Sequence, residues 1–220
     1  MKPPIIIFGI TPFAKMVKYY VETYTASTVA AFTVDAPYKT ADSFCGLPVV
    51  PFESITSAYP PSQYSAIVAL GYSKMNMTRQ EKFSILLHSG YTMPNLIHPS
   101  AHLENAQIGL GNIILENVNL GYNSNIGNSN VIWNGCNISH EVNIGNYNYI
   151  SPSVAIAGRV NLNNNCFLGI NSCVRNDLTI QNYSLIGAGC YINKGTEEYG
   201  VYLPSSTIKV PDKSSLDIMF

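Results

Sequence analysis

Residues 132–150 read IWNGCNISHEVNIGNYNYI, with isoleucine at 132, 138, 144 and 150. The same step of six continues to Ile126, Leu120, Ile114 and Ile108 on one side. On the other it meets Ile156, Leu162, Leu168, Val174, Ile180, Ile186 and Ile192, so fifteen successive sixth positions are aliphatic. Such a fixed period marks a repeat architecture. One residue after the aliphatic, glycine recurs at 109, 121, 127, 145, 169 and 187. Four residues after it stand small or β-branched side chains such as Val118, Ser124, Cys136, Val142, Val154 and Cys166, which suit an inward position with little room. A strand repeats every two residues and a helix every 3.6; a period of six accommodates only the first. The stretch is therefore predicted to be short strands and tight corners wound into a solenoid. Asparagine crowds it, as at 161, 163, 164 and 165, and suits corners because it tolerates left-handed backbone and bonds its own turn.

Around this repeat the chain of 220 residues is sparingly charged, at 11% Asp, Glu, Lys and Arg with a net charge of −1. A surface so neutral offers no general attraction to nucleic acid or anionic lipid. No apolar run approaches the roughly 20 residues of a membrane span, and the start, MKPPIIIF, is too short in its apolar part for a signal peptide. Five cysteines (45, 136, 166, 173 and 190) form no CxxC pair, which places the protein in a reducing cytoplasm.

Residues 1–95 follow another rhythm. Ile5-Ile6-Ile7-Phe8 is a buried-strand run ending at Gly9, and Thr11-Pro12 opens a helical pattern over 12–24 as cap and first-turn proline. Val29–Val34 is a second strand ending at Asp35, Ala66–Leu70 a third ending at Gly71, and 79–90 reads as a helix. Strands alternating with helices predict a small parallel α/β sheet. Ligands bind beyond the carboxyl ends of such strands, where Gly9, Thr11, Asp35 and Gly71 all fall. A glycine after the first strand and an acid after the second outline a nucleotide site, although Gly9-Ile10-Thr11-Pro12 has one glycine and no full Gly-x-Gly-x-x-Gly.

The strand–glycine start, AFTVD (31–35), GLPVVPFESI (46–55), VALGYSKMN (68–76) with Arg79, NLIHPSA (95–101) and the repeats with ISHEVNIG (138–145) together resemble bacterial sugar O- and N-acyltransferases. These include the sialic-acid O-acetyltransferases and bacillosamine-type N-acetyltransferases of the hexapeptide-repeat superfamily, and the likeness runs over about 5–200. It implies a Rossmann-like domain (1–95) and a left-handed parallel β-helix of three hexapeptides per coil (96–204); the repeat is absent from 205–220, a tail expected to cap the helix end or pack on a neighbour. It further implies a homotrimer with active sites between subunits, acetyl-CoA as co-substrate in the groove between neighbouring helices, no metal, and a nucleotide-linked sugar held by the front domain.

The family's histidine–acid pair maps onto His140-Glu141. His140 would act as general base on the sugar amine or hydroxyl, a task that suits an imidazole at neutral pH, and Glu141 would hold its tautomer. Ala157 and Gly158, with Gly169, match the family's oxyanion and coenzyme positions. Gly158 lies 18 residues past His140, one coil of three hexads, and so belongs about 4.8 Å above it. Trp133, with Asn134 beside it, stands where many relatives carry asparagine; it either stacks on sugar or pantetheine or shields the groove. Tyr149 takes the place of a second substrate-pocket histidine. YLPSSTIK (202–209) replaces the family's Gly-x-Pro-Ala-Lys. His98 and His102 are too few for a zinc site, and a β-helix carbonic anhydrase would need three histidines on the metal. The other reading is a non-catalytic trimeric scaffold or nucleotide-sugar sensor of the same fold.

Overall fold

The structure is a computed structural model that describes residues 2–206 and Pro211. The expectation about the tail therefore falls almost wholly outside the described residues. The front of the chain runs β1 (Ile5–Phe8), α1 (Pro12–Tyr24), β2 (Val29–Val34), β3 (Ser43–Phe44), β4 (Leu47–Pro51), α2 (Ile55–Ala58), β5 (Ser65–Val68) and α3 (Met77–His88). The sheet order is β3-β4-β2-β1-β5, parallel except for the β3–β4 hairpin. Thr11 caps α1 through Oγ1, which accepts from the Ala14 amide at 3.3 Å, and Pro12 supplies the fixed first φ. Ala14, Val17 and Val21 turn one stripe of α1 inward.

From Leu96 onward the chain forms two-residue strands at the predicted spacing, sorted into three parallel sheets. The first face holds Leu96–Ile97 through Val201–Tyr202, the second His102–Leu103 through Tyr191–Ile192, the third Gln107–Ile108 through Thr179–Ile180. From Ile113–Ile114 to Cys173–Val174 every strand pairs with the one 18 residues on, as Asn137 does with Ala155. Each coil thus visits all three faces. The sixth-position aliphatics from Ile114 to Ile192 form one buried column, and Val118, Cys136, Val142, Val154, Val160 and Cys166 fill its corners. Burial pushes the thiols of Cys136 and Cys166 up to about 12, so these two are packing groups rather than nucleophiles.

Every corner places one residue in the left-handed region, from Asn105 (φ 51°) through Glu141 (58°), Arg159 (60°) and Asp177 (61°) to Gly189 (70°). Asparagine fills several of them, as expected. The other asparagines bond the neighbouring coil instead of their own turn. The Oδ1 of Asn112, Asn130 and Asn148 accepts the amides of Asn130, Asn148 and Cys166, each at 2.8 Å. A matching ladder climbs through Asn128, Asn146, Asn164 and Asn182. These ladders satisfy corner amides that a two-residue strand leaves unpaired.

The front sheet packs on the outside of the first face. Leu96, Ile113, Val131 and Tyr149 share a buried cluster with Ile5, Ile7, Val17 and Phe32. Arg79 of α3, only 1% exposed, pins the two together. It donates to the carbonyls of Ser129 (3.0 Å), Gly71, Tyr147 and Asn148 (2.9 Å each).

Candidate active site

His140 follows the strand Asn137–Ile138 and sits at the corner between the second and third faces. Its side chain is 51% exposed and that of Glu141 54%. The left-handed φ of Glu141 turns its carboxylate back beside the ring, where Oε2 accepts from Nδ1–H at 3.0 Å. In the neutral ring, a carboxylate on Nδ1 leaves Nε2 as the acceptor. One coil on, the ring lies against Gly158: a Cβ built there would fall 2.7 Å from both Cε1 and Nε2. The Ala157 amide is spent on Val174 O and the Arg159 amide on His140 O. The Gly158 N–H between them has no acceptor among the described residues. An imidazole and an amide without an acceptor among the described residues thus share one corner.

Two further residues extend this corner in the same 18-residue register. Arg159 stands above Glu141 and Asp177 above Arg159, and the guanidinium grips the carboxylate through Nε (2.6 Å) and Nη2 (2.9 Å). This pairing and the charge of Glu141 hold Arg159 above its ordinary pKa. Beside Gly158 a groove of about 320 Å³ runs along the second face past Ser139, Ala157, Cys173, Arg175 and Tyr191. The spacing rule applied to His140 and Glu141 would have found Tyr122, Arg159 and Asp177; the groove has no sequence signal. Gly169 is not brought to this corner. It lies between the first and second faces, with its amide on Ile186 O at 2.7 Å.

A second cavity, of about 530 Å³, opens at the carboxyl ends of β1, β2 and β5. Gly9, Thr11 and Asp35 line it, with Ser73, Lys74 and Lys82. Gly9 is required here: at φ 123° its missing Cβ would stand 2.8 Å from Ala69 O. Gly71 does not line it; its carbonyl accepts instead from the buried Arg79. Lys82, which sequence reasoning passed over, reaches Asp35 Oδ1 at 2.7 Å and Glu81 Oε1 at 3.0 Å. Burial works against its charge, and these bonds outweigh it and raise its pKa. Trp133 and Tyr149 line neither cavity. Trp133 packs on Phe13 of α1 (5.5 Å between centroids), and Tyr149 on Phe167 (5.7 Å) and Tyr72 (5.1 Å), between the front sheet and the first face. Asn134 is exposed at the corner after Trp133.

No protein-family model matches the chain, and no curated protein matches it in sequence. Solved structures do. PerB from Caulobacter crescentus, in complex with CoA and GDP-perosamine, superposes with a TM-score of 0.82 at 26% identity, over 91% of this chain and 94% of that one. A histidine-to-asparagine variant of the same perosamine N-acetyltransferase, with both ligands, gives 0.83 at 25% identity over 91% and 93%. The chain is similar to the sugar N-acetyltransferases of the hexapeptide-repeat family. The acetyltransferase domain of PglB from Neisseria gonorrhoeae shares the fold, with a TM-score of 0.80 at 20% identity over 91% and 96%. Like these family members the chain joins a front α/β sheet to stacked parallel coils. No helix among its described residues is long and apolar enough to cross a membrane.

Proposed function

We propose that the protein is an acetyl-CoA-dependent acetyltransferase acting on an amino or hydroxyl group of a nucleotide-linked sugar. The observation that carries this is the corner itself, where the ring of His140, with Glu141 on its Nδ1, lies against Gly158, whose amide has no acceptor among the described residues. His140 takes the proton of the attacking amine or hydroxyl as its bond to the thioester carbonyl carbon forms. Gly158 N–H donates to the oxygen that gains charge. As the C–S bond breaks, the proton held on Nε2 passes to the leaving thiolate. Ala157 shapes the corner while its own amide stays in the sheet. In this reading the coenzyme lies along the groove past Cys173 and Arg175, and the front cavity takes the nucleotide end of the sugar. Two PerB structures replace a histidine, by asparagine and by alanine, with CoA and GDP-perosamine in place, which supports a histidine at the centre of the chemistry.

In this reading residues 1–95 are a Rossmann-like nucleotide-sugar module and 96–204 a left-handed β-helix, with the remainder a tail. The front sheet covers the first face while His140 stands at the opposite corner, so the cavity and the base of one chain lie on opposite sides of the coils. A second copy must bring one to the other. We therefore infer a homotrimer with sites between subunits, working in the cytoplasm, where five unpaired cysteines and the acyl-CoA supply are at home. The experiment is thiol release from acetyl-CoA against a panel of nucleotide sugars. His140→Ala should lower turnover by about 10²-fold or more with the assembly intact by light scattering. Undiminished turnover in that variant would remove His140 from the chemistry, and none in the native chain for any acceptor would favour the scaffold or sensor.

A further inference from the structure

The coils are nearly free of positive charge. Between residues 96 and 204 the basic side chains are Arg159, Arg175 and Lys194 alone. One of them, Arg159, stands one coil above Glu141, the carboxylate on the His140 ring. Its corner is an unusual place for an arginine. Arg159 adopts φ 60°, a left-handed conformation that favours asparagine, and asparagine holds such corners at 105, 117, 123, 165 and 171. Nor does the fold need the ion pair with Asp177. Both side chains are half exposed, and exposed pairs add little to stability.

The backbone sets this pair apart. The Arg159 amide donates to the His140 carbonyl and the Asp177 amide to the Gly158 carbonyl, each at 3.1 Å. Both members of the pair are thus bonded to the two residues that carry the proposed chemistry. Along the corner Glu141, Arg159 and Asp177 alternate in sign, one coil apart, a rise of about 4.8 Å. Nε and Nη2 of Arg159 both go to Asp177, which Asn176 Nδ2 holds from the side. Arg159 therefore reaches Glu141 by charge alone, and Arg175 acts in the same way on Asp177.

We propose that Arg159, oriented by Asp177, is a positioning residue of the transfer that sets the charge around the His140–Glu141 pair, and so the pH range in which the imidazole can take a proton. The inference rests on the reading of His140 as the base. A cation one coil from the pair opposes the imidazolium and offsets the pull of Glu141; Asp177 in turn tempers the cation. The charged and titratable groups at this corner are Glu141, Arg159, Asp177, Arg175 and, one coil before His140, Tyr122. Neutralising Arg159 or Asp177 singly must then move the working range in opposite directions, which loss of a merely structural clamp does not do.

The test is thiol release from acetyl-CoA by the full chain as a function of pH, with the acceptor that the nucleotide-sugar panel identifies. Arg159→Gln should move the acid limb of the kcat profile upward by about half a pH unit, and Asp177→Asn downward by about as much. Shifts of this size are what a unit charge exerts across one coil in a water-rich medium. Both should shrink in about 1 M salt, where the screening length falls to about 3 Å. Arg159→Lys keeps the charge without the planar fork and should leave the limb in its native place. Shifts in one direction, no shift, or an Arg159→Lys limb displaced as far as that of Arg159→Gln overturn the inference and leave the acyl transfer standing. A native chain without turnover for any acceptor, or undiminished turnover in His140→Ala, overturns the reading of the base and the inference with it.

Discussion

Gly158 shows how much of the proposed chemistry depends on one missing methyl group. Its backbone is not in the left-handed region, so alanine is conformationally acceptable there. The new Cβ would still fall 2.7 Å from Cε1 and Nε2 of His140 and must displace the ring. Gly158→Ala is therefore expected to melt close to the native chain yet lose about 10²-fold in kcat, since displacements of about 1 Å at a reacting group cost that much. Steady-state kinetics beside a thermal melt check it, and a variant with native kcat would remove the imidazole–amide geometry from the mechanism. The cysteines give a second residue-scale test. Cys136 and Cys166 are buried, with thiols pushed up to about 12, while Cys45 is exposed. A maleimide should modify Cys45 in the native protein and reach Cys136 and Cys166 only after denaturation, read by peptide mass mapping.

Among elements, what was legible in the sequence was what repeats locally. The aliphatic at every sixth residue fixes strand, corner and coil together, because each hexad meets the same inward environment 18 residues later. That rule also carried Gly158 to His140. It did not carry Gly169, which sits at another corner, because likeness of motif says nothing about which corner a residue occupies. The β3–β4 hairpin was invisible: it turns on Cys45 and Gly46, both left-handed (φ 49° and 78°), and its second strand carries Pro48 and Pro51, which argue against a strand. Arg79 and Lys82 were illegible as structure because charges on a helix read as solvated, and their partners Ser129, Tyr147, Asn148 and Asp35 lie 47 to 69 residues away. Burial lowers the Arg79 pKa to about 9, so the guanidinium is still charged at neutral pH and its carbonyl partners bear the cost of burying it. Arg79→Met should destabilise by about 3 kcal/mol or more, because it strands buried acceptors on both sides of the junction. Chemical denaturation would measure it. A loss below about 0.5 kcal/mol would mean that α3 docks on the first face by apolar packing alone.

For the whole molecule the decisive feature is the separation of the two cavities around the coils. The front sheet occupies the first face through Ile113, Val131 and Tyr149, while His140 marks the corner where the other two faces meet. In the proposed function one chain presents its nucleotide cavity on one side of the coils and its base on the other, so that a working site is completed between copies. This yields a prediction about mixtures. His140→Ala chains retain the front cavity, and Asp35→Ala chains retain the base; each preparation alone should turn over poorly at low substrate. Co-expressed, they assemble at random. A site built from the cavity of one copy and the corner of another then finds both halves native in about a quarter of cases, the product of two even chances in a symmetric ring. Activity near a quarter of native should return in the mixture. Were each site contained within one chain, every site would carry one lesion or the other, and mixing would restore nothing.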